Sequence, residues 1–285
     1  MLKSMLGLLV AGGVAATAAY AGNPAAAAHP PAPDRTVSRS LPAPTTSHHY
    51  IANIGDPKVP ARWGFTILDT GTWPGAVRAL PKGTMALVYI GQDCPTRANA
   101  SFRHQINRLA SNKRVFGYYL ADEPVISGCP GGPAALATRT RYIRHASGGK
   151  QKTFIVVDDP KVAHAYRPHV THLTMVGIDP YPCSVDDPAC DFTKIRHDLN
   201  ATIRAGVPLG RIVPVYQGFG QENTKSPYYT LPTTAQMTTM IHRWAALVPH
   251  PKMDYVYSWG HQSSSNPTLR DSPGLKQLFK TYFAG

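Results

Sequence analysis

Short apolar runs alternate along this chain with longer segments in which apolar residues recur every three or four positions. The runs are rich in β-branched and aromatic residues and have the length of strands that are buried on both faces. The eight predicted strands cover residues 50–54, 65–68, 85–90, 115–120, 153–157, 173–178, 212–216 and 255–259. The clearest predicted helices cover residues 102–110, 193–205, 234–248 and 275–283.

Strands that alternate with helices predict a parallel sheet, and eight such units predict an α/β protein closed into a barrel. Residues 48–285 contain no second linker and suffice for a single-domain (β/α)8 TIM barrel, which needs about 250 residues. The first strand has the weakest support, because no strong helix separates it from the second. Without that strand, the alternatives are an incomplete seven-stranded barrel or an open doubly wound sheet. No glycine-rich dinucleotide fingerprint follows any strand, which argues against a Rossmann domain.

The start of the chain has the pattern of a secretory signal peptide. Lys3 precedes a short apolar stretch, and a small-residue cleavage site ends at Ala21, so residues 1–21 are interpreted as the signal. Residues 22–47 are rich in Ala, Pro, Ser and Thr and are predicted to be a disordered linker. No later segment approaches the ~18 uninterrupted apolar residues of a membrane span. We therefore expect a secreted, extracellular and monomeric protein.

Charge and cysteine content narrow the possible partners. Lys and Arg outnumber Asp and Glu by 29 to 16, for a formal net charge of +13. The basic residues form no arm or stripe, which argues against nucleic acid and favours association with an anionic cell-wall polymer. The cysteines, with no C-x-x-C pair, predict disulfides rather than a metal site. Cys183 and Cys190 lie in one loop and favour a local pair, leaving Cys94 for Cys129, although three connectivities are open.

Acidic, amide and aromatic residues follow the carboxyl ends of the predicted strands, the end at which barrel enzymes have their active sites. Polar loops and Asp-Pro turns produce such residues as well. Aromatic rings interleaved with carboxylates nevertheless suit a sugar, whose C–H faces stack on rings and whose hydroxyls bond to carboxylates and amides. The candidates are Asp69, Asp122, Glu123, Asp158, Asp179, Tyr181, Gln217, Phe219, Glu222, Trp259 and Gln262.

Glu123 is the best candidate for a catalytic acid. It lies in Asp122-Glu123-Pro124 at the end of the fourth predicted strand, which stops there because proline cannot donate to a sheet. Hydrolysis of a glycosidic bond needs an acid that protonates the leaving oxygen and a second carboxylate that acts as nucleophile or base. The strand end and Pro124 fix the backbone of Glu123, so we assign it the acid/base role.

These motifs resemble the large (β/α)8 clan of glycoside hydrolases, over roughly residues 50–283. The resemblance implies that the acid/base Glu, which follows strand four and precedes a proline, is Glu123. Asp122 stands where Asn is commonest in the clan, and Trp259 corresponds to the aromatic residue that ends strand eight. Tyr-Tyr-Leu-x-Asp-Glu-Pro and Asp-Pro-Tyr-Pro also resemble exported actinobacterial hydrolase-like barrels. The clan's nucleophile is a Glu that ends strand seven, where this chain has Gln217. An amide cannot ionise or attack, so here the chain departs from the clan.

Three acids are candidates for the missing partner of Glu123. Asp179 ends strand six in a proline-rich loop, Glu222 lies five residues past Gln217, and Asp158 ends strand five. We prefer Asp179, for which a structural turn before proline is the alternative.

The sequence thus predicts a secreted glycoside hydrolase that acts on a polysaccharide or glycan without a cofactor or metal. Its catalytic candidates are Glu123, Asp179 and Glu222. One alternative is a non-catalytic carbohydrate-binding barrel, in which Gln217 marks a lost nucleophile; another is a wall-associated structural protein. The twelve histidines form no H-x-H or H-E-x-x-H pattern, which argues against a metal-dependent hydrolase.

Overall fold

Eight parallel strands form a closed barrel in this protein. The computed structural model describes residues 40–221, 227–261 and 266–285, all of which belong to one compact unit, Ser40–Gly285. Each strand pairs with the next along the chain and the last pairs with the first, which confirms the predicted (β/α)8 TIM barrel. The strands are β1 His49–Ile51, β2 Ile67–Thr70, β3 Met85–Tyr89, β4 Val115–Asp122, β5 Lys152–Val157, β6 Met175–Ile178, β7 Ile212–Gln217 and β8 Asp254–Tyr257.

Helices connect the strands, and several begin at a side chain that caps the first turn. Thr233 and Gln236 form a reciprocal capping box, and Asn99 and Ser272 each accept a backbone N–H. The helices are α1 Lys58–Ala61, α2 Pro74–Ala79, α3 Ala100–Asn107, α4 Gly132–Ala146, α5 Pro160–Ala165, α6 Pro168–Thr171, α7 Thr193–Arg204, α8 Thr234–Leu247 and α9 Pro273–Ala284, with short 3₁₀ helices at Leu209–Arg211 and Leu269–Asp271.

The first strand, which had the weakest support in the sequence, completes the barrel. Tyr50 in β1 lies opposite Ile67 in β2 and opposite Tyr255 in β8. The strand is only three residues long, and the chain turns at Asn53, whose φ is 55°. The seven-stranded and open-sheet alternatives are therefore wrong.

Apolar residues form two layers, one between strands and helices and one inside the barrel. Side chains alternate along β4, so Tyr118 packs in the outer layer and Tyr119 in the inner one. Inside the barrel, the Tyr119 ring lies 4.7 Å from Phe154 and 6.2 Å from Tyr255, between ring centroids. Large rings thus fill the barrel below its carboxyl-end mouth.

A buried polar pair joins the first and last strands at the amino end of the barrel. His49 Nδ1 lies 3.0 Å from each carboxyl oxygen of Asp254, and neither side chain is appreciably exposed. The His49 ring also stacks on Phe283, with 3.8 Å between centroids. His49 begins β1 and Asp254 begins β8, so the contact between these two side chains fixes the seam where the strands meet.

The structure forms both disulfides in the pairing that the sequence favoured, Cys94–Cys129 and Cys183–Cys190, with Cα atoms 5.6 and 4.2 Å apart. The first joins the loop after β3 to the loop after β4, and the second closes a short loop after β6. Both therefore brace the end of the barrel where β-strands lead into helices.

Residues 40–47, which the sequence placed in a disordered linker, lie against the barrel. Leu41 packs on the outer apolar layer, and Thr45 is a hydrogen-bonding neighbour of Tyr282. The predicted signal peptide and the remainder of the predicted linker lie outside the described residues and stay predictions. Among the helices that the structure describes, none is both long and apolar enough to cross a membrane.

Candidate active site at the barrel mouth

Glu123 directly follows β4 and has a fixed, unusual backbone. Its φ is 45°, in the left-handed region that a residue with a Cβ rarely adopts and that costs roughly 1–3 kcal/mol. The Glu123 N–H donates to the carbonyl of Val156 in β5, at 3.1 Å, and the Val125 N–H donates to the carbonyl of Asp93, at 2.9 Å. Pro124 between them is buried. These contacts fix the strained backbone of Glu123, whose exposed side chain lies at the mouth. Backbone strain of this kind is common at functional sites.

Asp179 follows β6 and lies within the electrostatic field of Glu123. Burial is the largest cause that raises the pKa of Asp179 well above its ordinary value, and the negative charge of Glu123 is the next. Asp122 and Asp158 raise it further, whereas the Tyr181 hydroxyl lowers it in part. Asp179 Oδ1 is buried and accepts no hydrogen bond from the described residues. The structure thus places the two preferred catalytic candidates close enough for the charge of Glu123 to raise the pKa of Asp179.

Asp122, the last residue of β4, lies among tyrosine side chains. It accepts a hydrogen bond of 2.6 Å from the Tyr119 hydroxyl, which rises from the ring layer inside the barrel. Its negative charge also raises the pKa values of neighbouring tyrosines, after burial as the larger cause, among them Tyr89 and Tyr257. Asp122 is therefore positioned from below by the core and faces the polar mouth above it.

Asp69 lies on the part of the rim that β2 forms. Burial raises the pKa of its carboxyl to about 6, and polar groups of Asn53 and Tyr50 offset only part of this effect. Its Oδ1 and the nearby Thr70 Oγ1 are buried and have no hydrogen-bond partner among the described residues. Such buried polar atoms call for a partner, and a polar ligand in the mouth would supply one.

We expect Asp69→Asn to stabilise the folded protein at pH 8 but not at pH 4. Because the folded pKa of about 6 lies above the ordinary 3.8, the stability that protonated Asp69 supplies is complete below about pH 4 and is lost as pH rises through 6. An amide never ionises, so the variant avoids a penalty of at most about 3 kcal/mol at pH 8. Urea unfolding at both pH values measures the difference. An equal change in the free energy of unfolding at pH 4 and pH 8 would contradict the raised pKa of Asp69.

An aromatic wall stands beside Asp179 on the mouth. The Tyr181 and Tyr257 rings lie nearly parallel, with centroids 6.4 Å apart and 26° between planes. Phe219 contacts Tyr181 and Tyr257 edge-on, at 4.9 and 5.3 Å, and Tyr229 completes the group. Phe219 itself is 8% exposed, so it supports the wall, whereas the half-buried Tyr181 and Tyr257 present its surface.

Gln217 does not face the mouth, which corrects its predicted role in substrate binding. Its side chain is fully buried, and its Nε2 donates to the carbonyls of Cys183 and Thr230, both at 2.9 Å. Its Oε1 accepts the Cys183 N–H at 3.0 Å. A carboxylate could not donate to two carbonyls, so the amide at this position braces the disulfide loop.

Trp259 is also misassigned as a rim residue. It is 3% exposed and packs in the outer apolar layer, edge-on to Phe65 at 6.4 Å. Strand β8 ends at Tyr257, two residues before Trp259, and the chain then leaves the barrel. Tyr257 is the aromatic residue of β8 that the mouth uses.

The remaining candidates divide by position. Asp158 is exposed at the end of β5 and acts on Asp179 through its charge. Glu222 and Gln262 lie outside the described residues, so their roles stay predictions. The predicted site residues did not include Tyr89 and Tyr257, which end the observed strands β3 and β8. Alternation along those strands was the signal that could have placed them in the site. Within the described part of the chain, no group of three or more His, Cys, Asp or Glu side chains is arranged to hold a metal ion.

Solved structures of the same shape are found at low sequence identity. A GH128 (subgroup I) endo-beta-1,3-glucanase from Amycolatopsis mediterranei has a TM-score of 0.53 at 12% identity, over 82% of this chain and 98% of the glucanase. A family 18 N-acetylglucosaminidase from Paenibacillus barengoltzii has 0.53 at 10%, over 84% and 99%. A chitinase from Bacteroides thetaiotaomicron has 0.52 at 12%, over 84% and 95%. These likenesses show the barrel fold, and no protein-family model or curated protein matches the chain.

Proposed function

We propose that this protein is a glycoside hydrolase that acts on a polysaccharide or glycan, with Glu123 as general acid/base and Asp179 as its partner. One observation carries the proposal. Asp179 is a buried carboxyl with a raised pKa, and the charge that raises it most is that of Glu123. Two carboxyl groups coupled in this way retain a shared proton to higher pH than either would alone.

A pair with one proton has both groups that glycoside hydrolysis requires. Glu123 is exposed in the free protein, and a saccharide bound over it would desolvate its carboxyl and favour the protonated form. Glu123 then gives its proton to the glycosidic oxygen as the bond from the anomeric carbon to that oxygen breaks. Asp179, now ionised, acts as base or nucleophile, and the added water returns a proton to the pair.

The aromatic wall and the unpaired carboxyl oxygens support a sugar as the ligand. Tyr181 and Tyr257 offer ring faces for the C–H face of a pyranose, beside the carboxyl of Asp179. The oxygens Asp69 Oδ1 and Asp179 Oδ1 are placed to accept hydrogen bonds from hydroxyls. The fold neighbours, which include an endo-beta-1,3-glucanase and a chitinase, agree with this class.

The remaining parts of the proposal concern where the protein works. The signal-like residues 1–21, two disulfides and the net charge of +13 support a secreted protein at a cell wall rich in anionic polymer. We propose that it acts there as a monomer, with carbohydrate as its substrate. Association with the polymer would then weaken as salt is added.

A non-catalytic carbohydrate-binding barrel is the second candidate, because Gln217 leaves strand seven without a nucleophile. Release of reducing sugar from a panel of polysaccharides, together with binding to the same panel, separates the two functions. Turnover that depends on Glu123 supports the hydrolase. Binding without turnover on every glycan supports the second candidate.

A further inference from the structure

A cavity lies beside the mouth, between the end of β3 and helices α3 and α4. Its volume is about 390 Å³, within the roughly 300–1,000 Å³ of small-molecule sites. Tyr89, at the end of β3, lines this cavity and also contacts Tyr119 edge-on, at 5.3 Å between centroids. Because Tyr119 holds Asp122, one tyrosine connects the cavity with the catalytic mouth. The cavity therefore lies next to the mouth, through the contact of Tyr89 with Tyr119.

Arg139 of α4 supplies a buried positive charge to the cavity. The side chain is 3% exposed, and its guanidinium carbon lies 4.7 Å from the centroid of Phe102. Nε donates to the carbonyl of Thr96 at 2.7 Å, and Nη2 donates to Gln92 Oε1 at 2.6 Å and to Thr96 Oγ1 at 2.9 Å. All these partners are neutral. Among the described residues, no carboxylate lies within 4.0 Å of the guanidinium, and Nη1 makes no hydrogen bond.

Arg139 thus presents a charged donor, Nη1, at the cavity with no carboxylate of the described residues opposite it, and an anionic ligand would supply the countercharge. Burial lowers the pKa of Arg139, which agrees with an unmatched charge. The neutral lining residues Asn99, Ser101 and Gln105 offer hydrogen-bonding groups of the kind that bind hydroxyls.

We propose that this cavity is a subsite for a sugar unit that carries a carboxylate, bound by Nη1 of Arg139; this rests on the proposed action on a glycan. A singly charged group fits better than a phosphate, because Tyr89 at the cavity also lies in the negative fields of Asp122, Asp93 and Asp69. One guanidinium offsets one charge, and a second would be repelled. The substrate is thus an acidic glycan, in keeping with the net charge of +13.

Calorimetric titration of two carboxylated probes tests the subsite. One probe is a uronic-acid oligosaccharide, the other is a glycan fragment whose amino sugars carry a lactyl carboxylate, and each is paired with its carboxyl-reduced form. A charge-assisted hydrogen bond predicts about 10-fold or more tighter binding of at least one carboxylated probe than of its reduced form. Arg139→Gln should abolish the preference, and Arg139→Lys should retain part of it. Equal binding of the carboxylated and reduced forms of both probes would overturn the proposal.

Matched variants separate a ligand role from a structural role of Arg139. Arg144→Gln removes the same charge from an exposed position on the same helix and should keep the preference. Ser101→Trp fills the cavity from the exposed face of α3 without changing Arg139, and should abolish the preference even if Arg139→Gln fails to fold. A preference that survives Ser101→Trp would place the carboxylate elsewhere and contradict the subsite.

The same titrations in the Glu123→Gln background keep this inference distinct from the proposed hydrolysis. If the titrations show a carboxylate preference but the wild-type protein hydrolyses no glycan, the subsite is supported and only the proposed hydrolysis is refuted. Hydrolysis of neutral glycans without any carboxylate preference would refute only the subsite.

Discussion

Glu123→Gln is expected to lower kcat/KM on the best substrate of a glycan panel by about 10²–10⁴-fold, the usual contribution of one well-placed general acid. Glutamine keeps the shape of the side chain and its hydrogen-bonding ability but has no proton to donate to a glycosidic oxygen. The backbone of residue 123 is held by β5 and by the loop after β3, so the substitution leaves its position unchanged. Initial rates of reducing-sugar release, compared with wild type, measure the effect.

The thermal midpoint of the same variant provides an independent check. Removing a negative charge from beside Asp179 relieves the repulsion that raises the pKa of that carboxyl, so the Glu123→Gln protein should melt at or above the wild-type temperature at pH 7. Asp186→Asn, at an exposed position in the disulfide loop, is the control and should keep full activity. Equal rates for wild type and Glu123→Gln would remove Glu123 from the mechanism. A lower midpoint would contradict the coupling with Asp179.

The eight strands and their order followed from the sequence because each is a short apolar run between helical segments, a local pattern. The first strand was the least supported for a physical reason as well. It is three residues long, and its pairing with β8 depends on residues some 200 positions away, as in the contact of His49 with Asp254, separated by 205 positions. Periodicity within a short window cannot register such a contact.

The rim was predicted less well than the barrel, since the direction of a side chain depends on where the chain leaves its strand. In Tyr-Val-Tyr-Ser-Trp, the strand ends at Tyr257, and Trp259 turns into the outer layer against Phe65. Gln217 ends β7 as predicted, but its amide bonds to backbone groups of the disulfide loop rather than pointing into the mouth. Glu123 and Asp179 were selected as candidates because a strand end and a following proline fix each of them locally, and their catalytic roles stay predictions.

Because residue 217 is a glutamine, β7 supplies no carboxylate to the proposed catalytic pair. A Glu at this position could not donate to the carbonyls of Cys183 and Thr230 as the amide does, so the loop that follows Asp179 depends on an amide at position 217. In the proposed reaction, the second carboxylate must then come from another strand. Among the described acids, Asp179 is the one whose pKa is raised both by burial and by the charge of Glu123.

Asp179→Asn is therefore expected to reduce kcat/KM by about 10²–10⁴-fold and to move the alkaline limb of its pH profile to lower pH. Burial of Asp179 and the negative charge of Glu123 both raise the pKa of Asp179, so the proposed pair keeps its proton to higher pH. With an amide at position 179, one of the two negative charges is gone, so the acid form is lost at lower pH. Rates of hydrolysis measured between pH 4 and pH 9 determine both the loss in kcat/KM and the position of the alkaline limb.

Asp158→Asn is the matched control, because Asp158 is exposed and its charge raises the pKa of Asp179 less than the charges of Glu123 and Asp122 do. It should shift the limb slightly in the same direction and change the maximal rate little. A purely structural role for Asp179 as a turn residue before Pro180 predicts something else: a lower rate with an unmoved limb and a lower thermal midpoint. Asn also forms turns before proline, so Asp179→Asn keeps the turn while it removes the charge. A shift of the alkaline limb to lower pH at an unchanged thermal midpoint therefore assigns Asp179 to the reaction.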